Sequence, residues 1–251
     1  LGIIQLSIQE GNIEKNCAHI EELVRNHSSD DIDLLCFPEL CISGYNFEKA
    51  IISDREALFF SELASKYKIA IMAGINKKEG NQHYDVACIW DETGTLLGEY
   101  KKIHLWDKEN DFFAKGEELV TVSFKGWTIG LLICADFGFS ELAKSLALKK
   151  NADVIMYPSA WNPGWDYLFS GCSSIRAAEN QVYTVGLNRA SGDVEYCGNT
   201  TVSNPDGTTL ARLCTSEESY TRVVLKKECL EKAKETIPWR LMRREEVYNK
   251  I

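Results

Sequence analysis

Cys134, Glu39 and Lys102 are the side chains whose types and settings could make and break covalent bonds. Cys134 closes the apolar run Ile129-Gly130-Leu131-Leu132-Ile133 and precedes Ala135-Asp136-Phe137-Gly138 and a helical segment. A thiol at such a strand-to-helix turn projects from the carboxyl end of a sheet, where open α/β folds place ligands, and a helix N-terminus nearby favours thiolate. Taken alone, a free cysteine packs as a small hydrophobe more often than it reacts. Glu39 follows a short apolar segment in Phe37-Pro38-Glu39-Leu40. A carboxylate there is either paired or raised in pKa, which suits a general base, and a salt-bridged loop glutamate is the equal alternative. Lys102 lies in Tyr100-Lys101-Lys102-Ile103-His104-Leu105. Period-two alternation sends Lys101 and Lys102 to opposite faces, so one ammonium can point inward toward a thiolate or an oxyanion; a solvated strand end is the plainer outcome.

The elements that must position these groups alternate. Leu1 to Ile8 reads as a buried strand, and Asn12 can cap a helix carrying Ile13, Cys17, Ile20, Leu23 and Val24. Asp33 to Phe37 is a second strand, Arg55 to Tyr67 a helix, and Ile69 to Ile75 a third strand. Tyr84 to Trp90 and Thr95 to Lys102 flank the turn Asp91-Glu92-Thr93-Gly94 as an antiparallel hairpin, so the sheet is mixed. The second half runs strand Trp127 to Cys134, helix Ser140 to Lys150, strand Val154 to Tyr157, helix Tyr167 to Asn180 and strand Val182 to Leu187, with parallel crossovers expected. Strand-like stretches near Asn199 to Val202, Thr209 to Leu213 and Tyr220 to Leu225 follow, then a charged helix and an Arg- and Glu-rich tail. With no low-complexity linker, one domain over residues 1–251 is expected. Trp161 follows the strand after the nucleophile's helix and so reaches the same sheet edge. It can wall a pocket there or pack a loop against the core.

Composition narrows the partners. A net charge of −9 argues against a polyanion-binding surface, so nucleic acid is not an expected partner. No run of about 18 apolar residues is present, so no membrane span is expected. The nine cysteines are odd in number and mostly set in apolar runs, which reads as buried thiols of a reducing compartment, with cytoplasm expected. No cysteine pair has C-x-x-C spacing and the four histidines do not cluster with them, so no metal and no cofactor is expected.

Together these segments resemble the carbon-nitrogen hydrolase, or nitrilase, superfamily. Its three motif regions stand here in order: Pro38-Glu39-Leu40 with Ser43-Gly44-Tyr45, then Tyr100 to Leu105, then Gly130 to Asp136. Further similarity lies in Arg176-Ala177-Ala178-Glu179-Asn180, Gly186-Leu187-Asn188 and Asn204-Pro205-Asp206-Gly207, so the resemblance covers nearly the whole chain. It implies an α/β fold, the four-layer α-β-β-α sandwich of the nitrilase superfamily type. It also implies Cys134 as nucleophile, Glu39 as general base and Lys102 as oxyanion-stabilising cation beside the backbone N–H of Ala135. Glu109, in a loop that resembles the family's second-glutamate loop, is implied to orient substrate and Lys102. Tyr45 and Trp161 join Ala135 as candidate substrate-binding residues.

The expected reaction is cysteine-dependent hydrolysis of a small linear amide or N-carbamoyl compound, with a homodimer or higher homo-oligomer expected by analogy. Cys134-Ala135-Asp136 is closer to the amidase and carbamoylase branches than to nitrilases, which usually follow the nucleophile with Trp-Glu. Nitrile hydrolysis and a non-catalytic binding relative are the alternatives. A Cys134–His104 dyad is a further one, for which the sequence lacks a Gly-x-Cys-x-Gly elbow.

Overall fold

The central strands carry continuous apolar runs where both of their faces are buried, and alternation decides which residue serves which layer. The computed structural model describes residues 1–47 and 55–248; the end of the expected charged tail, residues 249–251, lies outside the described residues. Two six-stranded sheets lie face to face. The first runs in the order β12-β1-β2-β3-β4-β5, from β1 (Gly2–Gln5), β2 (Leu34–Cys36), β3 (Ala70–Glu79), β4 (Gln82–Trp90), β5 (Leu96–Lys101) and β12 (Ser219–Arg222). The second runs β11-β10-β9-β8-β7-β6, from β6 (Val120–Phe124), β7 (Trp127–Leu131), β8 (Val154–Ser159), β9 (Tyr183–Asn188), β10 (Thr201–Ser203) and β11 (Thr209–Arg212). Each sheet pairs three parallel strands, β1-β2-β3 in one and β7-β8-β9 in the other, with antiparallel neighbours.

In the first sheet Ile3, Leu34, Cys36, Ala70, Met72, Ala87 and Ile89 join the core that also holds Ile129, Leu131, Val185 and Val202 of the second sheet. The intervening residues Ile4, Leu35, Ile71, Ala73, Val86 and Cys88 pack on Ile20 and Val24 of α1 (Ile13–His27) and on Phe60, Leu63 and Ala64 of α2 (Glu56–Tyr67). Every fully buried Leu or Ile in these layers contributes about 1.5–3 kcal/mol of transfer free energy. The outer face of the second sheet is covered by α4 (Ser140–Lys149), whose Leu146 approaches the bare backbone of Gly130, and by α5 (Asp166–Asn180), whose Phe169 does the same at Gly186. The order of layers is therefore α-β-β-α, as the resemblance implied. Among the described residues no helix is long and apolar enough to cross a membrane.

Three local readings need correction. Val120–Phe124, not anticipated as a strand, pairs antiparallel with β7 through the turn Lys125-Gly126, both at positive φ (45° and 79°). Its apolar pattern is short, and only the edge of a sheet gives it hydrogen-bond partners. The four-residue α3 (Glu109–Phe112) sits in what reads as a loop. β7 stops at Leu131, so Cys134 lies past the strand and opens a 3-10 turn, Cys134–Gly138, ahead of α4. The charged helix expected near the end is α6 (Lys227–Thr236), followed by the short α7 (Glu245–Tyr248).

Candidate active site

The inner-face rows of β4 and β5 run out of apolar residues at one end of the sandwich, and the charges begin there. Tyr100 belongs to the inter-sheet core, and two residues on, Lys102 points the same way with no exposed surface. Lys101 turns outward, its Nζ 2.6 Å from Glu79 Oε2 and over the Tyr84 ring. Alternation thus separates two adjacent lysines into a surface ion pair and a buried cation.

Three carboxylates surround that cation. Lys102 Nζ donates to Glu39 Oε1 at 2.6 Å, lies 2.8 Å from Glu109, and is 3.3 Å from Asp85 Oδ2. Glu39, Asp85 and Glu109 each place an oxygen within 4.8 Å of the others, a spacing that could hold a metal ion, and the Lys102 ammonium occupies that position. Burial works against its charge, but Glu39, Cys134, Asp85 and Glu109 outweigh the penalty and hold the ammonium well above the ordinary lysine range. Burial, then the neighbouring Glu39, pushes the Asp85 carboxyl well upward, with Lys102 opposing. Burial also raises Glu109 against the pull of Lys102.

Glu39 is held by a close approach of backbones. After β2, Phe37 N–H donates to Met72 O at 2.8 Å, Gly74 N–H to Pro38 O at 3.1 Å, and Cys41 N–H to Gly74 O at 3.0 Å. A Cβ on Gly74 would lie 2.6 Å from Glu39 Cα and 2.9 Å from Pro38 O, so only glycine lets Pro38-Glu39-Leu40 lie along β3. Replacing Gly74 by Ala is expected to destabilise the protein by about 1–3 kcal/mol through overpacking. It is also expected to lower turnover by up to about 100-fold, because the base moves with its backbone. Urea titration and steady-state kinetics on the same preparation check both; unchanged turnover with lowered stability would show that this contact does not set Glu39.

Glu109, at the start of α3, accepts the Trp106 N–H on Oε2 at 2.8 Å and the Tyr45 hydroxyl on Oε1 at 3.1 Å. Burial, followed by Glu39 and Glu109, pushes the Tyr45 phenol well up, so it stays a donor. Glu117 and Glu118, farther along the same loop, are exposed.

Cys134 has φ of 45°, a left-handed conformation that is strained for a side chain with a Cβ, and is 7% exposed. No glycine adjoins the cysteine. Asp136 fixes the turn: Oδ2 accepts Ile133 N–H at 3.0 Å and the Tyr100 hydroxyl at 2.7 Å, while Oδ1 accepts His104 N–H at 3.2 Å and lies 2.8 Å from His104 Nδ1. His104 also stacks on Phe139 with centroids 3.5 Å apart. One buried carboxylate therefore ties the cysteine turn of one sheet to the lysine segment of the other, and the His104 ring is committed to Asp136.

The helix start that favours thiolate is opposed by the rest of the sulfur's surroundings. Burial, and next the charge of Glu39, push the Cys134 thiol well above its ordinary range, while Lys102 and a backbone N–H of Ala160 oppose them. Proximity to a helix start is outweighed by desolvation and by carboxylates, so the resting sulfur carries its proton and needs a base.

The neighbour of Ala160 is Trp161. Its N–H donates to Asn188 Oδ1 at 2.7 Å, its ring makes edge contacts with Phe137, Trp165 and Phe169, and its buried Nε1 has no hydrogen-bond partner among the described residues. Trp165 in turn meets the ring of Trp106, whose backbone N–H is bound by Glu109. Ala135 follows Cys134 within the same turn. Arg176 and Glu179 pair at 3.1 Å, as their helical spacing suggested. Asp85, Gly74, Tyr100 and Asp136 are the contributors that the sequence reading did not single out. Asp85 shares its strand parity with the core residues Ala87 and Ile89, which was the available signal.

Comparison with known proteins agrees with this architecture. The family profile described as carbon-nitrogen hydrolase matches residues 1–232. A protein named nitrilase from Pyrococcus abyssi is 32% identical over 227 residues, covering 86% of this chain and 85% of that protein. A human omega-amidase is 29% identical over 275 residues, covering 99% and 96%. The crystal structure of a carbon-nitrogen hydrolase from Helicobacter pylori superposes with a TM-score of 0.90 at 22% identity, covering 99% of this chain and 96% of that one.

Proposed function

Because this chain belongs to the carbon-nitrogen hydrolase family and is a hydrolase of carbon–nitrogen bonds, we propose that it hydrolyses a small linear amide or N-carbamoyl compound through a covalent intermediate on Cys134. The observation that carries the reading is the buried Lys102 ammonium held between Glu39 and Glu109, a fixed cation whose charge, with those of the two glutamates, acts on the Cys134 sulfur. Glu39 takes the thiol proton as sulfur attacks the substrate carbon. The oxygen, now anionic, is held by Lys102 and by the N–H of Ala135. As the carbon–nitrogen bond breaks, Glu39 returns the proton to nitrogen and ammonia or an amine leaves. Water then loses a proton to Glu39, attacks the thioester or thiocarbamate, and the departing sulfur recovers that proton. Glu109 orients Lys102 and, through Tyr45, the wall of the pocket; Trp161 forms the wall on the sulfur's side.

An amide brings the oxygen that this fixed cation can stabilise, whereas a nitrile passes through a thioimidate and calls for protonation of nitrogen. Asp136, two residues after the nucleophile, is already engaged: its oxygens are bound to Ile133, Tyr100 and His104, so it holds the cysteine turn and is not free to protonate a nitrile nitrogen. Release of ammonia or amine is to be measured on matched aliphatic amides, N-carbamoyl compounds and nitriles, with Cys134→Ala as the blank. Turnover of an amide or carbamoyl compound with inert nitriles is expected. Nitrile turnover with inert amides and carbamoyl compounds would overturn the proposal.

A further inference from the structure

Asp85 has no part in the mechanism above, yet it is fully buried against the groups that do. Lys102 has three N–H donors, of which Glu39 and Glu109 take two. Asp85 Oδ2 is 3.3 Å from the same nitrogen but outside hydrogen-bond geometry, and neither Asp85 oxygen nor Glu39 Oε2 has a hydrogen-bond partner among the described residues. Two ionised acceptor-only groups buried side by side repel each other. A single proton between them converts that repulsion into a charge-assisted O–H···O bond.

We infer that Asp85 is a positioning residue that keeps a proton and donates it to Glu39 Oε2, fixing the base and leaving the third Lys102 N–H for the substrate oxygen. The catalytic consequence rests on the proposed amide hydrolysis, whereas the shared proton does not. The groups facing Asp85 are consistent with a neutral acid. Lys102 and Glu109 lie on the segment after β5, Glu39 follows β2, and Tyr45 and Cys134 border the cluster. Asn76 stands opposite on β3, with His83, two residues earlier on β4, at 3.1 Å from Asn76 Oδ1. Lys102, the cation in contact with this cluster, is already shared by Glu39 and Glu109. Burial and Glu39 both favour the protonated form of Asp85, in the direction the geometry requires.

An ionised Asp85 would compete with the oxyanion for Lys102 and add a third negative charge near Cys134. Activity should therefore fall as pH rises through the titration of Asp85. Asp85→Asn keeps the shape, donates N–H to Glu39 and cannot ionise, so kcat/KM at neutral pH is expected within about threefold of the parent, with the alkaline fall moved to higher pH. Asp85→Ala removes the donor and is expected to lose about tenfold or more. Independently of any substrate, infrared spectra of the unliganded protein carrying ¹³C-labelled aspartate should show the carbonyl stretch of a protonated aspartic acid at neutral pH, absent from Asp85→Asn. Asparagine behaving like alanine, a pH profile that superposes on the parent's, or no protonated aspartate band in the parent protein would each overturn the inference. The infrared arm needs no turnover, so failure of the amide assignment alone leaves the band in place.

Discussion

Lys102→Met is expected to abolish turnover and to cost about 3–5 kcal/mol of folding stability at neutral pH, the range for breaking a buried ion pair by removing one partner. The side chain lies with no exposed surface between Glu39, Asp85 and Glu109, and methionine fills the volume while removing the cation they share. Its pH dependence separates this cause from lost packing. Asp85 and Glu109 have folded-state pKa values raised above their ordinary ones, so they favour the folded state at low pH and that contribution is lost as pH rises through the raised values. Without Lys102 those values rise further, and the deficit of the variant should be greatest near neutrality and shrink as pH falls below about 4, where the carboxyls of the unfolded chain also take up their protons. Lys102 itself, raised well above the ordinary range, contributes stability that is complete below about pH 10 and lost as pH rises through its folded-state value. Denaturant titrations of both proteins between acid and neutral pH test this. A deficit independent of pH would show that methionine merely packs badly.

Glu39→Gln is expected to act with opposite signs on two properties of Cys134. Turnover should fall by about 10²–10⁴-fold, the usual contribution of a positioned general base, because the resting sulfur holds its proton. Alkylation of Cys134 should instead become easier at a given pH. After burial, the Glu39 charge is the chief influence that raises the thiol, and glutamine removes it while Lys102 and the Ala160 N–H still favour thiolate. The pH midpoint of iodoacetamide labelling, followed by peptide mapping, should move down in the variant. A midpoint moved up or unchanged would mean that the electrostatics of the site are set by something other than Glu39, and retained turnover would remove Glu39 from the mechanism.

The backbone of this fold was legible wherever periodicity carried it. The strand runs around Leu34, Ile71, Val86 and Ile155 are apolar throughout because each is covered on both faces, and the helices from Ile13 and Ser140 show their buried stripes. Lys102 and Glu39 were legible as candidates for a physical reason: a charge within or beside such a run has nowhere to go except inward to a partner or outward to solvent. Alternation then chose between Lys101 and Lys102. Asp85 obeys the same parity rule, but a lone aspartate in Tyr84-Asp85-Val86 gives no sign of its partners, which come from segments far along the chain.

What the sequence determined by itself is therefore the set of local facts: two-sided strands, a strand-to-helix turn at Cys134, the residue types able to act as nucleophile, base and cation, and their order. Only the tertiary structure decided how those groups affect one another. It seated one ammonium among three carboxylates, let Gly74 bring Glu39 against β3, and used Asp136 to join the cysteine turn to the Tyr100–His104 segment of the facing sheet. It also set the surroundings of the sulfur against the pull of the helix start. A nearby helix start is a short-range feature visible in sequence, but desolvation and the Coulomb field of Glu39 depend on what closes over the thiol, and that is fixed only when the two sheets meet.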